Sequence, residues 1–125
     1  MIQANELRIG NWLADKQNRK GKVIELTPRT ITVKMPFSKL KDTYIGKSAF
    51  KGIPITEDIL LKAGFEKNGS YKEIKLNQVS ITIKLLDGEY FLVDASGWYG
   101  KGFIYLHSLQ NLIYALTGTE LTINL

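Results

Sequence analysis

A chain of 125 residues with 44% hydrophobic and 23% charged side chains has the make-up of one folded domain, or of two small lobes, and not of a disordered polymer. It contains no cysteine and a single histidine, which excludes disulfides, thiolate chemistry and the usual zinc sites. The net charge of +5 is unevenly placed: residues 1–52 hold 11 Lys and Arg against 4 acids, and residues 53–125 hold 6 against 8. A basic half beside a mildly acidic one points to an anionic partner for the first.

The opening "MIQANELRIGNW" lacks a basic start followed by a long apolar run, so no signal peptide is expected. No apolar stretch approaches the ~20 residues of a membrane span. The expectation is a cytoplasmic protein with no membrane partner.

From the start, "LRIGNWLAD", "KVIEL" and "TITVKM" read as short strands. In the last, Ile31, Val33 and Met35 alternate with Thr30, Thr32 and Lys34, the period of a half-buried strand. Gly10-Asn11 and Gly21 supply turn or bulge positions. Three closely spaced strands predict a small curled sheet, similar in architecture to Src-homology-type and KOW-type barrels. Pro36 ends the third strand, and residues 36–52 are read as a connector with one more short strand around Thr43 to Ile45.

"GIPITEDILLKAGF" predicts a short helix. Thr56 is its N-cap, Glu57 and Asp58 sit at the positive end of the dipole, and Ile59, Leu60 and Ala63 form the apolar face. Gly64 ends it in the left-handed conformation, with Phe65 closing over the last turn. Residues 65–106 then read as an antiparallel meander, with hairpin turns at Asn68-Gly69 and Asp87-Gly88. "GWYGKG" is a glycine-rich connection. A final helix is expected over about Leu109 to Thr117, burying Leu109, Leu112, Ile113 and Leu116, stopped by Gly118 and covered by Leu121. "ELTINL" is a candidate edge strand.

The fold class is therefore α+β: a small basic β lobe over 1–52 and an antiparallel meander with two helices over 53–125, sharing one core in one compact domain.

Candidate chemistry is sparse. His107 falls at the entrance of the last helix, where its best role is a cap, with Gln110 as capping-box partner. A catalytic role would need Ser108 or another hydroxyl and Asp94 to converge on it, and the spacing gives no sign of that. The acids are too scattered for an oxygen-ligated metal, so no metal and no cofactor are expected. "ASGWYGKGF" fails as a phosphate loop, because Ala95 and Gly102 occupy the places of the required Gly and Ser or Thr. It is read instead as a partner-contact loop presenting Trp98, Tyr99 and Lys101. "KQNRKGK" concentrates Lys16, Arg19, Lys20 and Lys22 without an acid and is the best candidate for phosphate contact.

"ELRIGNW", "GIPITEDILLKAGFEKN" and "YLHSLQNLIYALTGTEL" together resemble a group of short uncharacterised proteins encoded by gut bacteria of the Bacteroides type and by their phages. Members of that group open with Asn-Glu-Leu-Arg-Ile-Gly-Asn, carry an Ile-Pro-Leu-Thr-Glu-Glu helix start, and close with Val-His-Gln-Leu-Gln-Asn-Leu and Ala-Leu-Thr-Gly. This chain has Leu106 for the valine, Ser108 for the glutamine and Ile55 for the leucine, so Ser108 is not a required nucleophile. The resemblance implies kinship of phage or bacterial kind and supplies no activity. The expected function is a non-enzymatic binding or adaptor module, contacting a protein or nucleic-acid partner through its basic lobe; the alternative is a small enzyme or small-ligand-binding protein with a site near His107.

Overall fold

The computed structural model describes residues 6–28, 30–35, 41–45, 50–94, 97–123 and 125, with the backbone alone for 41–45, 94, 98 and 99. The connector expected over 36–52 lies partly outside these residues. Two compact units emerge: one runs through Ile53 and includes Tyr105–His107, and the other comprises Pro54–Ile104 and Ser108–Leu125.

In the first unit, β1 (Trp12–Asp15), β2 (Lys20–Leu26), β3 (Thr30–Lys34) and β4 (Lys41–Ile45) form an antiparallel meander, and β5 (Phe50–Lys51) returns to pair with β1. The result is the curled antiparallel sheet that the short, closely spaced strands predict. Leu13, Val23, Ile31, Val33, Met35 and Phe50 make its core. The Gly10-Asn11 pair sets the entry into β1. Gly10 has φ +98, its N–H donates to the Val23 carbonyl, and the Asn11 side chain accepts from the Arg8 N–H at 2.7 Å. A register shift between Val23 and Glu25 brings Thr32 under cover as well as its neighbours Ile31 and Val33.

In the second unit, α1 (Glu57–Lys62) is followed by β6 (Glu66–Asn68), β7 (Tyr71–Leu76), β8 (Val79–Leu86), β9 (Glu89–Asp94) and β10 (Gly97–Phe103), an up-and-down antiparallel sheet in sequence order. With α2 (Leu106–Thr117) the class is α+β, as the sequence predicts. The register sets Ile74 against Ile81, and Ile83 against Leu92, on one face of this sheet.

The local rules hold closely in α1. The Thr56 hydroxyl accepts from the Ile59 N–H at 3.2 Å. At the other end Gly64, at φ +100, donates to the Leu61 carbonyl and Phe65 to the Leu60 carbonyl, which together form a Schellman motif. A Thr56→Ala change is expected to cost about 1 kcal/mol, read as a fall in Tm of about 4 °C, with Thr56→Ser close to wild type.

Several expectations are corrected. The first hairpin turn is Gly69-Ser70, because Asn68 pairs with Tyr71; a positive φ at Gly69 fits a II′ turn. Asn77-Gln78, with φ +50 and +66, forms a further two-residue turn between Leu76 and Val79. "GWYGKG" is not a loop but most of β10, irregular between Tyr99 and Phe103. Gly102 is required there, since a Cβ would lie 2.8 Å from the Glu89 Cβ and 2.9 Å from the Phe91 Cζ. Residues 120–123 form no strand, although Leu121 and Ile123 are buried.

The last helix starts at Leu106, earlier than its periodicity implies. The Leu106 N–H is taken by the Ile53 carbonyl at 2.8 Å, which satisfies one free amide of the first turn. The buried stripe accordingly runs Leu106, Leu109, Gln110, Ile113 and Thr117, and Leu116 is 44% exposed. Gly118 ends the helix at φ +70, donating to the Tyr114 carbonyl. The Asn77 side chain donates to the Thr117 carbonyl at 2.9 Å and so tethers the helix end to the β7–β8 turn.

Candidate functional site

Because directly opposed residues of paired strands share a face, the register of the first unit assembles a cationic surface. Trp12 stands opposite Lys22, Lys22 opposite Lys34, and Lys34 opposite Lys41, one residue from each of β1 to β4. Two residues along the same face, Ala14 is flanked by Lys20 on β2 and Lys51 on β5. Lys20, Lys22, Lys34 and Lys51 are all exposed. The alternate positions, Leu13, Val23 and Val33, point into the core.

Of the four cations singled out in "KQNRKGK", Lys20 and Lys22 therefore belong to this face, while Lys16 is exposed at the hairpin tip. Arg19 has a different duty. Its Nε lies 2.6 Å from Asp15 Oδ2, and its own N–H and that of Gln17 donate to Asp15 Oδ1 at 2.8 and 2.9 Å. Desolvation pushes the Asp15 carboxyl up, but these hydrogen bonds outweigh it and hold the pKa below its usual value. Arg19 thus fastens the tip, with Asn18 at φ +64 completing the reversal. Lys22 is ordered as well: its Nζ stands 5.2 Å above the Trp12 ring. The sequence pattern does not single out Lys34 and Lys51, because only the register sets Lys34 opposite Lys22 and Lys51 opposite Ala14, across β1 from Lys20.

His107 is not a cap. It is the second residue of α2, and it is 1% exposed. The ring stacks on Tyr105 at 5.7 Å between centroids and 11° between planes. Its Nε2 lies 3.7 Å from Glu6 Oε2, beyond hydrogen-bond length, and its Nδ1 has no hydrogen-bond partner among the described residues. Burial pulls the pKa down further than the Glu6 carboxylate raises it, so the imidazole is neutral at neutral pH. A ring so enclosed offers no reach to a substrate. Ser108 belongs to the second unit, and the Asp94 side chain lies outside the described residues. Gln110 is buried within the same helix.

The sign of the His107 shift gives a testable pH dependence. Its folded pKa is below the unfolded ~6.5, so the unfolded chain binds more protons as pH falls through that value. The stabilisation is complete above about 6.5 and is lost below it. Urea unfolding between about pH 5 and 6.5 should show stability falling with acid, and His107→Gln should flatten that limb. An unchanged slope in the variant would refute the assignment.

In the contact stretch, Lys101 is exposed, whereas the Trp98 and Tyr99 side chains lie outside the described residues. Leu92, Lys101, Phe103 and Leu112 help to line a cleft of about 360 Å³ in the second unit. Among the described residues no three His, Asp or Glu side chains gather to hold a metal ion, and no helix is long and apolar enough to cross a membrane. Compared with family models, with curated proteins and with solved structures, the chain matches none.

Proposed function

We propose that the protein is a non-catalytic binding module that holds nucleic acid against the basic face of its first unit, through phosphate contacts. The observation that carries the reading is the cross-strand pair Lys22–Lys34, with Lys20 and Lys51 farther along the same face, all four exposed. Like charges placed directly opposite each other cost stability in the free protein, and a polyanion laid along the face offsets that cost. Trp12 is 5% exposed and lies beneath Lys22, so it offers no free ring to a base. Recognition by such a face is of backbone charge and not of base sequence. On the motif likeness to the Bacteroides-type and phage group, the proposal extends to an adaptor of phage or bacterial origin.

The test is binding of labelled oligonucleotides across a salt series. With about four phosphates neutralised, the log–log slope for duplex DNA should be about −3.6, with little dependence on sequence. No binding at low ionic strength ends the reading. A protein partner is the second reading, supported by the apolar cleft around Leu92, Phe103 and Leu112 with Lys101 at hand. Capture of a host protein that survives nuclease treatment would favour it over the first.

A further inference from the structure

A second concave site lies wholly within the second unit, between the start of α1 and the β6–β7 hairpin, with a volume of about 560 Å³. That is the size of small-ligand pockets, roughly 300–1,000 Å³. Its polar lining is a charge arrangement that the fold does not use up. The register sets Lys67 opposite Lys72. Lys72, with its side chain 14% exposed, is held by Glu57, Nζ to Oε1 3.5 Å. Lys67 is exposed and pairs with no acid among the described residues, so one positive charge is left over.

Besides Thr56, whose hydroxyl caps α1, two hydroxyl residues join them. Ser70 sits in the hairpin turn, and Tyr90 is buried, its hydroxyl kept in the neutral, donating form by desolvation and then by the nearby Glu57 charge. Ile55 and Leu85 supply the apolar wall. A bare inorganic anion would leave that wall wet, and a purely apolar molecule would leave the cation unpaired.

We infer that this cleft binds a small organic anion: a carboxylate or phosphate headgroup at Lys67 and Ser70, carrying a short apolar or aromatic body against Ile55 and Leu85. The site is independent of the basic sheet face, and either can fail alone. The test is a titration of the full-length, nitrogen-15-labelled chain with phenylacetate and with phenyl phosphate, followed by amide shifts. Inorganic phosphate and the neutral 2-phenylethanol serve as comparison probes. The expected result is saturable shifts at Gly69, Ser70, Thr56 and Glu57 with one or both organic anions, and weaker binding of both comparison probes there. Lys67→Ala should weaken that binding about fivefold and Lys67→Arg should retain it. Three outcomes would overturn the inference: no saturable shift at those amides by about 10 mM probe, equal response to either comparison probe, or indifference to Lys67→Ala. Preference for phenylacetate over phenyl phosphate, or the reverse, identifies the headgroup.

Discussion

Exchanging both Lys22 and Lys34 for glutamate should reduce nucleic-acid affinity by about a hundredfold or more at low salt and make the salt slope shallower by about 2. The two residues face one another across β2 and β3, so each loses a phosphate contact and gains a repulsion. The single change Lys34→Glu is the sharper diagnostic. It sets a carboxylate directly opposite the Lys22 ammonium, a cross-strand pair expected to add about 0.2–1 kcal/mol of stability. Binding should nonetheless weaken about tenfold, from a lost contact and an added repulsion. Stability and affinity then move in opposite directions, which damage to the fold could not produce. If Lys34→Glu binds as well as wild type, the sheet face is only a solvated surface.

The largest loss of stability is expected at Gly52. A Cβ on this residue would lie 2.6 Å from both Cγ and Cδ1 of Tyr105 and 3.1 Å from His107 Cε1. These are atoms at the root of the Tyr105 ring: a turn about Cβ–Cγ leaves Cγ where it is, and a turn about Cα–Cβ would break the stack on His107. Gly52→Ala should cost about 2–3 kcal/mol, seen as a lower urea midpoint at unchanged m. Removing the ring tests the cause: Tyr105→Leu in the Gly52→Ala background should recover part of the loss, a coupling that independent sites lack. A Gly52→Ala protein as stable as wild type would mean that the Tyr105 ring does not rest on this backbone.

What could be read from the sequence was what local rules decide. Thr56, Gly64 and Gly118 act within one turn of their own helices, and each sits where capping chemistry places it. Asp87-Gly88 turns as its dipeptide requires. Asn77-Gln78 was invisible because Gln has no preference for positive φ, and the strands on either side impose the turn. The start of α2 was hidden for a similar reason: the group that satisfies Leu106 is the carbonyl of Ile53, far earlier in the chain. Periodicity alone therefore puts His107 at the helix entrance, whereas it lies inside the helix and under cover. The lysine face depends on register, and a slip of one residue would turn every side chain of a strand over. The irregularity between Val23 and Glu25 determines that register, and no residue pattern announces it.

The uneven ladder of β10 bears on how this chain behaves at high concentration. β10 is the outermost strand of its sheet, and outermost strands recruit further strands when they are long, flat and regular. Here three glycines, a break in pairing between Tyr99 and Phe103 and the Lys101 ammonium all fall within seven residues. A neighbouring molecule finds no continuous template there, so resistance to fibril growth is built into the backbone of this strand and does not depend on net charge alone.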